Sequence, residues 1–287
     1  MRFVSYAVQG GQGLAIEKGG RLYGLAKGVD GFPGTLDDLL QNGGDLAAAH
    51  AAIEQRGQAL DPDAITYLPP FQRPSKIICV GLNYADHTKE SPYEQPAYPT
   101  LFGRFPSSLI GHRAAIVRPL ASEQLDYEGE MVAVLGRGGR HVAPEQALDL
   151  VAGYSVFNEA SVRDYQFKSP QWTVGKNFDD TGAFGPAFVT ADELPAGGSG
   201  LHIETRLNGQ VMQSATTADM LFDVKKVIAV VSEAITLWPG DVLVMGTPAG
   251  VGFARKPPLF MKDGDVCEVE IEGIGKLVNP IRNEAAR

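Results

Sequence analysis

The chain has 287 residues and a mass of 30.6 kDa, which is long enough to bury a large core. Its formal charge of −9 argues against nucleic acid as a partner, because nucleic acids attract basic surfaces. No segment stays apolar for the roughly 18 residues that a membrane span needs. Two cysteines, Cys79 and Cys267, lie in apolar runs, which predicts reduced core thiols in a cytoplasmic protein rather than a disulfide framework.

Residues 1–70 predict a small N-terminal α+β domain. Short apolar pieces at 2–8, 13–18 and 21–26 are separated by glycine-containing turns, a pattern typical of strands. Helices are predicted at 35–41 and 45–56, the second starting at an Asp45 cap. The Pro-rich stretch 68–74 cannot continue a helix or a central strand, so the domain boundary is placed there.

Residues 71–287 predict a larger, β-dominated domain, giving an α+β protein overall. A buried strand at 76–81 is followed by a segment with helical potential, 83–91, and by a Pro- and Tyr-rich loop, 92–99. One amphipathic helix is predicted at 219–237 behind a Thr216-Thr217 cap. Further strands are predicted around 115–117, 130–135, 152–157, 187–189, 202–207, 241–245, 265–271 and 276–280.

Three carboxylates in the middle of the chain predict a metal site. Glu128 and Glu130 stand two apart in a strand-like run, so they share a face, which continues into apolar residues. Two like charges facing a core are costly unless a cation lies between them, and carboxylate oxygens suit a hard divalent ion. Glu159, at the end of a second strand-like run, is the third candidate. Alternatively, the pair could face solvent on an edge strand, and Glu159 could cap a turn.

Five segments, in the same order along the chain, resemble the fumarylacetoacetate hydrolase family. They lie at 76–87, 126–130, 153–164, 171–178 and 246–252. The resemblance implies a mixed β-roll, barrel-like catalytic domain, a homodimer and a Mg²⁺ or Mn²⁺ site, with Ca²⁺ also possible. The implied metal ligands are Glu128, Glu130 and Glu159, although the family normally has aspartate at the third position. A hard cation accepts either acid.

The resemblance also implies catalytic roles for His87, Glu90 and Lys176. His87 and Glu90 are three apart, so a helix would place them on one face, where the carboxylate could orient the imidazole as a general base. Without the resemblance they could be a surface pair. In the family this pair lies on a lid segment. Lys176 would stabilise an enolate oxygen, although a lysine there could also extend to the surface.

Three further residues are candidates for substrate binding. Arg104 could grip a substrate carboxylate through two hydrogen bonds, although a surface ion pair would explain it nearly as well. Gln166 matches a family position near the substrate. Thr247 lies in a Gly-rich turn that lacks the Lys-Ser/Thr of a phosphate-binding loop, so its hydroxyl and the neighbouring amides are expected to bind a carboxylate or oxyanion.

These features predict a divalent-metal-dependent hydrolase that cleaves a C–C bond in an acylpyruvate or related diketo acid. The alternative is a decarboxylase or keto–enol isomerase acting on oxaloacetate or a homoprotocatechuate-pathway dicarboxylate. A non-enzymatic alternative, a structural Ca²⁺ site in a β-rich binding module, would leave His87, Glu90 and Lys176 unexplained. The expected partner is a small 2-oxo acid, with no nucleic acid or membrane involved.

Overall fold

A computed structural model describes residues 1–8, 11–91 and 94–285 of the chain. Strands dominate these residues, and the helices are few and short. The α-helices are α1 (Leu36–Gln41), α2 (Leu46–Arg56), α3 (Ala85–Glu90), α4 (Arg163–Gln166) and α5 (Val224–Ala234). Short 3₁₀ helices occur at Pro106–Ser108, Pro144–Leu150, Ala191–Glu193, Ala196–Gly198, Thr217–Asp219 and Gly252–Ala254. The strands are β1 (Arg2–Val8), β2 (Gly11–Lys18), β3 (Arg21–Ala26), β4 (Gln58–Leu60), β5 (Thr66–Tyr67), β6 (Ile77–Gly81), β7 (Thr100–Gly103), β8 (Leu109–Ile110), β9 (Ile116–Arg118), β10 (Leu125–Asp126), β11 (Gly129–Leu135), β12 (Val151–Glu159), β13 (Ser161–Val162), β14 (Gly182–Thr190), β15 (His202–Leu207), β16 (Gln210–Thr216), β17 (Val242–Val244), β18 (Val266–Ile271) and β19 (Gly275–Asn283).

The largest sheet has the order β4-β3-β2-β1-β14-β12-β11-β17-β6-β7, with β5 and β8 pairing with β1 and β14. Most neighbours are antiparallel, but β17 runs parallel to β6, so the sheet is mixed. A second sheet has the order β16-β15-β18-β19-β9, and β10 pairs with β13. Among the described residues, the first and last strands of each of these two sheets do not pair with each other, so both sheets are open. The predicted β-dominated α+β class is confirmed.

The N-terminal strands extend the sheet of the larger region, because β1 pairs with β14, with Arg2 opposite Val189. Both predicted N-terminal helices are confirmed. Thr35 caps α1 in a reciprocal arrangement with Asp38, and Asp45 caps α2 through two backbone amides. The boundary near residue 70 stays a prediction.

The helix predicted at 219–237 is longer than the observed helix, and the predicted Thr216-Thr217 cap is wrong. The structure starts α5 at Val224, and the side chain of Asp223 accepts a hydrogen bond from the Lys226 amide at 2.7 Å. The preceding amides of Leu221 and Phe222 donate to Asn83 instead of to helical carbonyls. Since these amides already have acceptors outside the helix, the helix cannot extend back to residue 219.

Strand β11 lies at the centre of the core and is buried on both faces. Val132 and Val134 pack in a cluster with the N-terminal strands and α1, whereas Met131 and Ala133 pack in a cluster with α5. A strand that is buried on both faces has a continuous apolar sequence, and the residues after Glu130 have this character. None of the described helices has the length and apolar character needed to cross a membrane.

Candidate metal and substrate site

The three predicted carboxylates meet where β11 begins and β12 ends. Glu128 immediately precedes β11, Glu130 lies within it, and Glu159 is the last residue of β12. The two strands are antiparallel neighbours, and the amide of Glu159 donates to the carbonyl of Glu128 at 2.8 Å. One carboxylate oxygen from each residue lies within 4.8 Å of the others, and all three residues are buried. The strand register therefore concentrates three acidic groups in one buried place.

Burial and the neighbouring Glu159 and Glu128 carboxylates raise the pKa of Glu130 well above its usual value. Its Oε2 accepts a hydrogen bond from the Gly246 amide at 2.5 Å. Oε1 of Glu159 is buried and has no hydrogen-bond partner among the described residues. Three buried carboxylates that each bring one hard oxygen donor to the same place fit a hard divalent ion such as Mg²⁺, Mn²⁺ or Ca²⁺.

Two buried cationic side chains partly balance these charges. Nζ of Lys176 donates to Oε2 of Glu128 at 2.6 Å and to Oε2 of Glu159 at 3.1 Å. Nη1 of Arg163 lies 2.6 Å from Oε1 of Glu128. Burial opposes ionisation of Glu128, but these two cations outweigh it and lower its pKa to about 2. Glu128 is therefore ionised at neutral pH.

Lys176 reaches the site from a turn that packs on α4. Its own amide donates to the carbonyl of Trp172, and the preceding Gly175 lies so close to α4 that a Cβ there would be 2.4 Å from the Gln166 nitrogen. Burial disfavours the charged form of Lys176, yet Glu128 and Glu159 outweigh this effect and raise its pKa. The side chain therefore stays an ammonium group.

The His87–Glu90 pair lies on α3, and its predicted contact is present. Nδ1 of His87 is 2.9 Å from Oε1 of Glu90, whose carboxylate also accepts from the Gly250 amide at 2.9 Å. Gly250 has φ of +105°, and a Cβ there would lie 2.2 Å from the Met212 carbonyl oxygen, so this close approach requires glycine. The pair leaves Nε2 as the imidazole nitrogen available to a ligand. In the predicted lid loop, Pro92 lies outside the described residues.

A narrow cleft with a cavity volume of about 20 Å³, partly open to solvent, joins these groups. Nearly all the predicted site residues line it, whereas Glu90 supports His87 from behind. The predicted residues along the cleft are His87, Glu128, Glu130, Glu159, Gln166, Lys176 and Thr247.

The two predicted substrate-binding residues in the cleft differ in what they can offer. The carboxamide oxygen of Gln166 accepts from Nη1 of Arg163 at 2.8 Å, which leaves its NH₂ group as a donor. The hydroxyl of Thr247 donates to the Gly129 carbonyl at 3.0 Å and accepts from Gln213 at 2.8 Å. Gln166 is thus the better placed hydrogen-bond donor to a ligand.

Arg104 does not line the cleft, although it was predicted to bind a substrate carboxylate there. It is buried behind Glu159 and is not among the residues that line the cleft with the carboxylates. Its Nη1 is 3.8 Å from Oε1 of Glu159. This position favours an effect on Glu159 over direct contact with a substrate.

Arg163 is a site residue that sequence reasoning did not select. Its Nε donates to Asp126 at 2.8 Å, its Nη1 contacts Glu128 and Gln166, and its Nη2 is buried with no hydrogen-bond partner in the part of the chain that the structure describes. The guanidinium carbon lies 4.5 Å from the centre of the Phe253 ring. The available sequence signal was the position of Arg163 in the segment 153–164, which resembles the family.

The affinity for a divalent ion is expected to rise with pH over the range in which Glu130 loses its proton. Burial and the neighbouring carboxylates raise the pKa of Glu130 in the metal-free protein, and a metal ligand must be deprotonated. Metal binding should therefore release protons from the site, in a number that falls as the pH rises. Calorimetric titrations with Mn²⁺ in two buffers of different ionisation enthalpy measure that number, and heats that do not depend on the buffer would contradict the expectation.

The chain belongs to the fumarylacetoacetate hydrolase family, since the model of the fumarylacetoacetate (FAA) hydrolase C-terminal region matches residues 76–282. A curated relative, the mitochondrial oxaloacetate tautomerase Fahd2a of Rattus norvegicus, is 40% identical over 271 residues, covering 94% of this chain and 86% of the relative. The structure is similar to a fumarylacetoacetate hydrolase from Exiguobacterium antarcticum, with a TM-score of 0.86, 36% identity, and 99% and 100% of the two chains covered. It is also similar to a 5-carboxymethyl-2-hydroxymuconate delta-isomerase from Mycobacterium smegmatis, with a TM-score of 0.77, 29% identity and both chains covered fully.

The family predicted from the sequence is confirmed, and the protein is an enzyme of that family. The expected cytoplasmic location is wrong by comparison with the curated relatives from rat, human and cattle, which are described as mitochondrial. Two free buried thiols indicate a reducing environment, but they cannot distinguish one reducing compartment from another. The expected homodimer stays a prediction.

Proposed function

We propose that this protein is a divalent-metal-dependent tautomerase that interconverts the keto and enol forms of a small dicarboxylic 2-oxo acid, with oxaloacetate as the first candidate. The observation that carries the proposal is the buried group of Glu128, Glu130 and Glu159 in one cleft with Lys176 and His87. The activities that name the relatives, oxaloacetate tautomerase and muconate isomerase, support tautomerisation over the C–C hydrolysis first expected.

Glu128, Glu130 and Glu159 would hold the divalent ion, which in such a site polarises the 2-oxo group and acidifies the hydrogens on the adjacent carbon. The cleft's own residues then need to move one proton and stabilise one developing negative charge. No water needs to add to the substrate, which distinguishes this reaction from hydrolysis.

His87 would carry the proton. Glu90 accepts the Nδ1 hydrogen, so Nε2 is the basic nitrogen, and the Gly250 amide holds the Glu90 carboxylate in place. When the C3–H bond breaks, its proton passes to Nε2, its electron pair forms the C2=C3 double bond, and the π pair of the carbonyl moves onto the C2 oxygen. The imidazolium then returns the proton to that oxygen, which completes the enol with no net gain or loss of protons.

Lys176 would stabilise the negative charge that develops on the C2 oxygen. Its raised pKa keeps it charged, and its short contacts with Glu128 and Glu159 fix the position of Nζ in the cleft. Gln166 and the unpaired Nη2 of Arg163 are the donors available for a second carboxylate of the substrate. These two donors would suit the second carboxylate of a dicarboxylic acid, next to the apolar side chains of Phe167 and Phe253 that also line the cleft.

A substrate panel tests this proposal. Wild-type protein with Mg²⁺ or Mn²⁺ should accelerate the disappearance of the enol absorbance of oxaloacetate more than it accelerates pyruvate release from acetylpyruvate or fumarylpyruvate. Faster pyruvate release from an acylpyruvate, with no effect on the oxaloacetate enol, would overturn the tautomerase assignment in favour of hydrolysis.

Replacing His87 with alanine is expected to lower kcat for tautomerisation by about 10²–10⁴-fold, the usual contribution of a positioned general base. Metal affinity should remain close to wild type, because His87 is not a proposed ligand. His202→Ala is the matched control, since His202 is exposed and hydrogen-bonds Ser214 on the second sheet. Equal loss of activity in both variants would contradict a proton-carrying role for His87.

A further inference from the structure

We propose that Arg104 is a positioning residue that keeps one oxygen of Glu159 turned away from the metal site, so that Glu159 offers a single oxygen and the site favours a small divalent ion over a larger one. This inference rests on the metal site proposed above. It adds a residue outside the cleft that governs which ion the cleft accepts.

Arg104 is held rigidly where it lies. Its Nε donates to the Ser108 hydroxyl at 3.0 Å, and its Nη2 donates to the Thr181 hydroxyl at 2.6 Å. The guanidinium carbon lies 5.5 Å from the centre of the Phe157 ring. Since the side chain is 2% exposed, two hydrogen bonds and an aromatic contact fix the guanidinium, and Nη1 remains as its unpaired end.

The unpaired end of Arg104 faces the unpaired end of Glu159. Nη1 of Arg104 and Oε1 of Glu159 are 3.8 Å apart, both are buried, and neither has a hydrogen-bond partner within residues 1–8, 11–91 and 94–285. The other oxygen of Glu159, Oε2, accepts from Lys176, whose Nζ also contacts Glu128. The two oxygens therefore have different surroundings, with Oε2 towards the other carboxylates and Oε1 towards Arg104.

The absence of a side chain at Gly182 leaves space for the Arg104 guanidinium beside Glu159. Gly182 on β14 pairs with Glu159 on β12, and a Cβ at Gly182 would lie 2.7 Å from Nε of Arg104. A side chain at that position would displace the guanidinium from Glu159. The position of Arg104 next to Glu159 thus depends on glycine at the residue that pairs with Glu159.

The contact between Arg104 and Glu159 affects which ion can bind. Ca²⁺ takes six to eight oxygens and commonly uses both oxygens of a carboxylate, whereas Mg²⁺ requires a compact octahedral set. A positive charge facing Oε1 competes with any ion for that oxygen. Removing the charge should free Oε1 and improve Ca²⁺ binding more than Mg²⁺ binding.

The test compares Mg²⁺ and Ca²⁺ dissociation constants, measured by calorimetry, for wild type, Arg104→Met and Arg104→Lys. The ratio of Ca²⁺ affinity to Mg²⁺ affinity should rise about tenfold in Arg104→Met and less in Arg104→Lys, which retains the charge. Arg113→Met is the matched control, because Arg113 also pairs with a carboxylate, Asp63, and lies 5.6 Å from the Tyr67 ring centre, but at an exposed position. The ratio of Ca²⁺ affinity to Mg²⁺ affinity in Arg113→Met should equal that of wild type.

An unchanged affinity ratio in folded Arg104→Met would overturn the inference and leave the tautomerase proposal intact. An unchanged affinity ratio together with a raised KM for oxaloacetate would also overturn the inference, and it would support direct contact between Arg104 and the substrate. If Arg104→Met does not fold, Arg104→Gln is the second variant without the charge, and an unchanged affinity ratio in folded Arg104→Gln overturns the inference. Failure of wild type to bind either ion would overturn both the inference and the metal site on which it rests.

Discussion

Glu130→Gln is expected to lower metal-dependent turnover about a thousandfold or more while leaving the metal-free protein as stable as wild type. The raised pKa of Glu130 favours the neutral form of the native side chain without metal, and glutamine has nearly the same shape as that form. The amide oxygen of glutamine can still accept the hydrogen bond from Gly246. Only the anionic ligand is lost, and a loss of about 4 kcal/mol of transition-state stabilisation corresponds to this factor.

The measurements for Glu130→Gln are kcat/KM with saturating Mn²⁺ and the thermal midpoint with and without chelator. Glu54→Gln serves as the control, because Glu54 lies on the exposed side of α2 and pairs with Lys18 at the surface. Full turnover in Glu130→Gln, or a large loss of stability in the chelated protein, would show that Glu130 does not have the proposed role.

Lys176→Met should move metal affinity and activity in opposite directions. In the metal-free protein the Lys176 ammonium contacts both Glu128 and Glu159, so it competes with any ion for their oxygens. Its removal should tighten Mn²⁺ binding by about tenfold, while kcat falls by a factor of about 10² or more because the developing oxyanion loses its cation. Removing one partner of a buried ion pair should also destabilise the chelated protein by about 3–5 kcal/mol.

Calorimetry with Mn²⁺, turnover with oxaloacetate and thermal unfolding with and without metal test the three parts of this expectation. Lys18→Met is the control, since Lys18 forms a comparable 2.6 Å ion pair at the surface. Metal addition should recover much of the stability lost in Lys176→Met. Weaker metal binding in this variant would contradict the competition between Lys176 and the ion.

The strand alternation around Glu128 and Glu130 was readable from the sequence, because side chains two apart share a face and the same face continues as Val132 and Val134. The meeting of these residues with Glu159 was not readable from periodicity. It depends on the register of β11 against β12, and a period of two specifies a face but not the partner residue across the sheet. Glu159 was a candidate from its strand-like run, and the resemblance favoured a metal ligand over a turn cap at this position.

Other features escaped prediction because they depend on side chains far away in the sequence. Asn83 takes the amides of Leu221 and Phe222 out of the predicted helix, and this contact spans 139 residues from Asn83 to Phe222. The sequence did not indicate that Arg104 and Arg163 are buried. Arg104 lies behind Glu159, and Arg163 lines the cleft. Burial of an arginine depends on which carboxylates the fold brings to it, and sequence spacing does not reveal that.

The most direct test of the central claim is an anomalous diffraction map of crystals soaked with Mn²⁺ and oxalate, a stable mimic of a 2-oxo acid. A manganese peak bounded by carboxylate oxygens of Glu128, Glu130 and Glu159, with oxalate on the same ion and Lys176 beside it, is the predicted result. A cleft without manganese at saturating concentrations, or manganese bound elsewhere while these carboxylates keep their contacts with Lys176 and Arg163, would contradict it.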